Sequence, residues 1–179
     1  MSALQCRTRP LLRHDFTSTE ARRDFLNRRS LMKVERVTPI LNVSDVPASL
    51  AWFEALGWER GFSWNAGGSI ANAADRNEHG AATFAGVFSA DAEIFLCKDA
   101  QGSRGGPNPR HVGDDDTGGV WMSWWMRATS EVDELHDLAL RHGFDVVTPP
   151  ADKPWGVREF HLRHPDGHTI RVSAGIGDE

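Results

Sequence analysis

The sequence predicts an α+β fold in which one β-α-β-β-β unit is used twice. Three observations predict it. Two stretches with a helical apolar period end at Gly57 and Gly143, and each is preceded by one strand-like run and followed by three. A Gly- and Pro-rich segment separates the two sets. Val46 and Gly57 of the first unit match Val132 and Gly143 of the second at one common offset, which an internal duplication explains economically.

In the first unit, residues 34–43 alternate and are β-branched, which reads as a strand. Ser44 or Asp45 can cap a helix, with Pro47 in the first turn where proline is tolerated. Leu50, Phe53 and Leu56 supply the apolar face of that helix, and Gly57 ends it. Strands are expected at 58–64, 81–89 and 92–98, with a long Gly/Asn/Ala-rich loop over 65–80. Residues 102–119 hold six Gly, two Pro and the run Asp114-Asp115-Asp116, which reads as a linker. The second unit starts with a strand over 120–128. Ser130-Glu131-Val132-Asp133 has the form of a capping box, and Val132, Leu135, Leu138 and Ala139 give the next helix its apolar face. Strands follow at 145–148, 157–163 and 169–173, the last two joined by a turn at Pro165-Asp166-Gly167.

The expected domains are therefore a module over 34–99, a linker over 100–119, a module over 120–174 and a short tail to 179. Residues 1–33 differ from the rest. They carry eight Lys/Arg against three Asp/Glu, whereas 34–179 carry twelve against twenty-two, and they show no sustained apolar period. They read as an appended, mobile arm, of which residues 1–31 could be deleted with little loss of stability. Asn27-Arg28-Arg29-Ser30-Leu31-Met32 has the look of a twin-arginine signal, but the apolar stretch such a signal needs is missing, and Met32 resembles a start.

Composition narrows the function. A net charge of -5 argues against a nucleic-acid partner, which would demand phosphate neutralisation. No apolar run approaches the ~18 residues of a membrane span. Two cysteines, Cys6 and Cys97, make no disulfide framework, so a cytoplasmic setting is expected. There is no nucleophile elbow, P-loop or dinucleotide fingerprint. Aromatic usage is skewed, with seven Trp, nine Phe and no Tyr.

Three segments carry a resemblance to a known family: Val37-Thr38-Pro39-Ile40-Leu41-Asn42-Val43, Trp52-Phe53-Glu54-Ala55-Leu56-Gly57-Trp58, and the run from Pro154-Trp155-Gly156 through Arg158-Glu159-Phe160 to Pro165-Asp166-Gly167. With two βαβββ units they resemble the vicinal oxygen chelate superfamily, which includes glyoxalase I, extradiol dioxygenases, fosfomycin-resistance enzymes and bleomycin-resistance proteins. The third segment is closest to the bleomycin-resistance branch. The resemblance implies a curved mixed sheet, a cup, with helices packed on its convex side and the ligand in the concavity. It also implies a homodimer with pockets at the interface.

The family's enzymes place one metal ligand on each of four strands. Carried over by strand parity, those positions fall at Thr38, Phe95, Trp121 and Arg171. Three of these side chains lack the nitrogen or carboxylate donors such a site needs, and Arg171 puts a cation where the metal would sit. The favoured reading is thus a binding protein with no catalytic residues, metal or cofactor, which sequesters a small aromatic or cationic molecule. A metal-dependent lyase, isomerase or dioxygenase with an atypical ligand set is the alternative. A cup filled by its own side chains, serving as a scaffold, is a third.

Expected ligand contacts follow from the same parity. Period two puts Trp121, Ser123 and Trp125 on one face of their strand and Met122, Trp124 and Met126 on the other, so the first set lines the cup and Trp124 packs in the core. Trp64 and Trp155, at a strand end and in a loop, could clamp a flat ring or a cation. Phe95 and Thr38 complete the set. Glu93 and Glu159 could make the cup negative, and Arg171 is either an anchor for an anion or an internal partner for an acid. Trp52 and Trp58 read as packing, Cys97 as a small buried residue, and His161, His164 and His168 as surface and turn residues with no ligand spacing.

Overall fold

The structure is a computed structural model that describes residues 34–65, 70–72, 82–102, 104 and 119–177. The expected arm and the acidic run at 114–116 lie outside the described residues. Residues 38–179 group as one compact unit.

Nine strands and two helices are described. In the first module they are β1 (Ile40–Val43), α1 (Val46–Ala55), β2 (Glu59–Trp64), β3 (Ile70–Asn72), β4 (Phe84–Ser89) and β5 (Ala92–Lys98). In the second they are β6 (Trp121–Trp125), α2 (Thr129–Arg141), β7 (Asp145–Lys153), β8 (Val157–Arg163) and β9 (Thr169–Gly175). The two modules form separate sheets, ordered β1-β5-β4-β2-β3 and β6-β9-β8-β7. Leaving aside the short β3, the orders are the same. In each, the first strand pairs in parallel with the last strand of its module, and the rest is antiparallel.

The helix ends show the duplication most sharply. In α1 the N–H of Gly57 donates to the Glu54 carbonyl and that of Trp58 to the Phe53 carbonyl. In α2 Gly143 donates to Leu140 and Phe144 to Ala139, in the same offsets. Both are Schellman closures, and both need a left-handed residue: φ is +84° at Gly57 and +69° at Gly143. The starts differ. Asp45 caps α1, its carboxylate accepting from Ala48 N–H at 2.9 Å. The expected cap at Ser130 does not form. Helix α2 begins two residues earlier behind Ala128, and Glu131 reaches back to accept from Arg127 N–H at 2.9 Å. That bond fixes the chain just before the helix, and as an acid in the first turn Glu131 complements the helix dipole; the Ala128 cap position itself supplies no side-chain bond to the first N–H groups.

Strand boundaries also differ from expectation: β3 falls inside the loop expected over 65–80, β4 and β6 are shorter than 81–89 and 120–128, β9 runs two residues past 173, and β1 and β7 differ most. Strand β1 covers only the end of 34–43, because Pro39 has no N–H to donate and Val34 and Val37 stand exposed. Strand β7 runs on through Pro149 and Pro150 to Lys153. It lies at the sheet edge, where prolines lose no ladder bond, and its register with β8 shifts between Thr148 and Ala151.

One core joins the modules. Each helix covers one face of its own sheet, and the side chains between them meet: Phe53, Trp52 and Trp58 from the first module against Trp124 and Phe144 from the second. Trp52 and Trp58 are buried, as expected of packing residues. The final turn sews the halves together. His168 Nδ1 accepts from Val120 N–H at 3.1 Å, so the proton sits on Nε2, which donates to the Asn42 carbonyl of β1 at 2.8 Å. Ser44 N–H donates to the Asp166 carboxylate at 3.1 Å. His164 and His168 are therefore fully buried, not surface residues as their sequence context suggested. Burial holds the pKa of both down, that of His164 to about 4.

Candidate functional site

With one face of each sheet covered by its helix, the other face is open, and the functional side chains stand there. Alternation along the strands decides which they are. In the second module Ile170, Val172, Leu162 and Phe160 point into the core. Their neighbours form three rows across β6, β9 and β8: Trp121–Thr169–Arg163, Ser123–Arg171–His161, and Trp125–Ser173–Glu159. Trp125 is 64% exposed and Trp121 39%, while Trp124 packs against the core. The faces expected of these tryptophans are the faces they occupy.

Glu159 is the centre of this surface. It is only 4% exposed and is surrounded by donors. Its Oε2 forms an ion pair with Arg171 Nε at 2.8 Å and accepts from Trp155 Nε1 at 3.4 Å. Its Oε1 lies 3.8 Å from His161 Nε2 and 4.0 Å from Lys153 Nζ. A carboxylate so buried requires compensation, and Arg171 supplies it. Of the two roles open to Arg171 in the sequence, the internal ion pair is present. The same pairing removes Glu159 as a free negative charge. His161 stands against Trp121, ring centroids 5.4 Å apart and edge-on. Burial depresses its pKa; Glu159 pulls the other way, and Lys153 and Arg171 reinforce the depression. Both its ring nitrogens are enclosed and without a hydrogen bond among the described residues.

The first module's open face is different in kind. Phe62, Phe84 and Phe95 form a closed trio with every pair of centroids 5.4 Å apart. Gly86 lies beneath it: a Cβ there would come within 2.6 Å of the Phe62 ring. Trp64 stands at the exposed end of β2, across from Phe84. Thr38 donates to Glu93 Oε2 at 3.1 Å, so Glu93 is engaged as well. Cys97 is half-buried beside this trio rather than in the core.

The structure thus brings Trp121, Ser123, Trp125, Trp155 and Arg171 to one surface, and places Phe95, Trp64 and Thr38 on the other module's sheet. No ring contact joins the two groups among the described residues. The sequence offers Glu159 only as a source of negative charge in the cup, and His161 and Lys153 do not stand among its expected ligand contacts. The parity of Glu159 and His161 was visible, but their meeting with Arg171 depends on the β8–β9 register. A cleft of about 500 Å³ opens beside β6, between the Ser89–Ala92 turn and the start of α2, and Ser123 and Trp125 reach its wall.

The chain matches the model of the Glyoxalase/Bleomycin resistance protein/Dioxygenase superfamily over residues 33–172. It belongs to that superfamily. No curated protein matches it in sequence. Among solved structures, TioX from Micromonospora sp. ML1 is 18% identical, with 79% of this chain and 100% of that one covered at a TM-score of 0.55. The fosfomycin resistance protein FosX from Listeria monocytogenes is 15% identical, covering 82% and 98% at 0.54. The bleomycin resistance determinant encoded on transposon Tn5 is 15% identical, covering 79% and 98% at 0.50. At these identities the likeness is one of fold.

The residues that the family resemblance puts at the metal positions of the superfamily's enzymes do not suit a divalent metal. Thr38, Phe95 and Trp121 offer no imidazole or carboxylate, and the Arg171 guanidinium would repel a cation. Among the described residues no group of three or more His, Cys, Asp or Glu is arranged to hold a metal. No described helix is long and apolar enough to cross a membrane.

Proposed function

We propose that this superfamily member binds and sequesters a small, flat molecule without making or breaking a bond, in the manner of a resistance protein, as a cytoplasmic homodimer. One observation carries the reading: Trp121 and Trp125 offer exposed ring area on an open sheet face. The resemblance, carried over by strand parity, agrees, since it puts Thr38, Phe95, Trp121 and Arg171 where the superfamily's enzymes hold their metal. The phenyl trio of the other module supports the dimer. Two open, aromatic faces of opposite character on one chain suit a two-fold pairing in which each face of one copy closes over the other face of its mate.

The test is a titration of the full chain with flat aromatic and cationic compounds, read by tryptophan fluorescence, with the bound compound then recovered and weighed by mass spectrometry. Saturable binding, an unchanged compound and indifference to chelators are expected. Turnover that a divalent ion restores would favour a lyase, isomerase or dioxygenase instead. Sedimentation should give about 40 kDa, twice the 19.8 kDa chain; a monomer would remove the shared pocket.

A further inference from the structure

The sequence leaves the charge of the ligand open, and the second module's face bears on it. We propose that this face takes an aromatic oxyanion, a flat ring carrying a carboxylate, with Arg171 as the anchor; the proposal rests on the sequestration reading above. Arg171 spends only its Nε on the protein. Both of its contacts, Glu159 Oε2 at 2.8 Å and Ser173 Oγ at 3.2 Å, run through that one atom. The two terminal nitrogens make no hydrogen bond among the described residues, and the side chain is 32% exposed. A guanidinium held from behind by a buried carboxylate, with its outer edge free, is oriented for a planar oxyanion, which it can grip with parallel N–H bonds.

The surroundings agree in charge and in shape. Two cations, Arg171 and Lys153, meet one carboxylate, and that carboxylate is buried and already fully engaged. His161, in the same row as Arg171, adds no negative charge, and its enclosed ring nitrogens lack partners among the described residues, a cost that folds tolerate mostly at sites completed by something else. Arg171, Lys153 and Glu159 together carry one net positive charge, although the chain as a whole is negative. A cation stacked on the Trp121 side would have to lie beside Arg171 and Lys153, where the one acid, Glu159, is already engaged, which works against the wrong ligand as well as for the right one. Strand register puts Ser123 directly beside Arg171, with Trp121 and Trp125 on its two diagonals. A ring laid on either indole therefore carries its carboxylate toward the guanidinium.

Three probes of one shape separate the possibilities: 2-naphthoate, neutral 2-naphthol and the 2-naphthylmethylammonium cation, titrated against the full chain by fluorescence and calorimetry. Naphthoate should bind about tenfold or more tightly than the cation, with a salt dependence the naphthol lacks. Lys153→Met should weaken naphthoate alone by a few-fold. Because Arg171→Met would strand Glu159, the deciding variant is Arg171→Met with Glu159→Gln, which leaves no buried charge unpaired. Folded, it should lose most of the preference for naphthoate and keep only the few-fold part that Lys153 supplies. Equal or tighter binding of the cation by the natural chain, or a preference for naphthoate undiminished in the double variant, overturns the oxyanion assignment and leaves sequestration standing. Failure of all three probes to bind at about 1 mM overturns the sequestration reading itself, and this inference with it.

Discussion

The two modules share a backbone plan down to the hydrogen bonds that close their helices, yet their open faces have nothing in common. The first presents three phenyl rings packed on one another over Gly86. The second presents separated indoles around a buried carboxylate and an arginine. The difference teaches where a duplicated fold is free to vary. Residues that close a helix or face the joint core answer to both halves at once. Residues on an open face answer only to what is placed against it.

The largest effect should come from disturbing what the halves share. Trp124 touches Trp52, Phe53 and Trp58 across the joint core. Trp124→Ala should cost about 3–5 kcal/mol in denaturant unfolding, from lost burial and the cavity left behind. A loss below about 1 kcal/mol would show that the modules do not depend on this contact.

Nearly as large is the acid response of the seam. His164 Nδ1 accepts from Asp166 N–H at 3.1 Å, and the ring is buried against Trp52 and Phe53. Its folded pKa, about 4, lies below the ordinary 6.5, so between those values the unfolded chain binds a proton that the folded chain refuses. The contribution is complete above pH 6.5 and is lost as pH falls toward 4, worth about 3 kcal/mol over that window. His168 is shifted in the same direction. Unfolding midpoints at pH 7 and pH 4.5 measure it. His164→Gln, which retains an acceptor but does not titrate, should flatten the profile; an unchanged slope would move the effect elsewhere.

These two cases mark what was legible in the chain. The core role of Trp124 follows from period two alone, and the ends of both helices follow from Gly57 and Gly143. The burial of His164 and His168 does not. A His-Pro-Asp-Gly-His turn reads as solvent-facing until one knows that β1 of the other module lies over it. The same holds for the site. Alternation placed Trp121, Ser123 and Trp125 on a common face, but Glu159, Lys153 and Arg171 meet only through the β8–β9 pairing and the β7–β8 turn, which no local pattern specifies. The sequence expectation of a strand ending at Thr148 falls short of β7, which carries Pro149 and Pro150 because it is an edge, and nothing in the sequence says that it is one.

Smaller in stability, and aimed at function, is the exposed neighbour of Trp124. Trp125→Ala should leave unfolding within about 0.5 kcal/mol, since its ring is mostly in solvent. Ligand binding should fall by a factor on the order of 10–100, the loss expected of an aromatic anchor. Measured together with Trp124→Ala, it breaks or keeps the separation between shared core and private face. If Trp125→Ala unfolds the chain while Trp124→Ala folds and binds weakly, the faces of β6 are inverted.

The smallest effect tests the duplication itself. Gly57 and Gly143 occupy the same left-handed position in their two helix closures, and nothing lies within 4 Å of where a Cβ would stand at either. Alanine there would meet no neighbour, so its cost is the backbone penalty of a side chain at positive φ, about 1 kcal/mol at each site. Equal losses for Gly57→Ala and Gly143→Ala are expected from the unfolding midpoints. Gly86→Ala offers the contrast. Its cost would come from pushing the Phe62 ring out of the trio, an arrangement the second module does not repeat. If the two closures differed by as much as Gly86→Ala differs from either, the likeness of the modules would be one of outline, and each helix end would be held by its own surroundings.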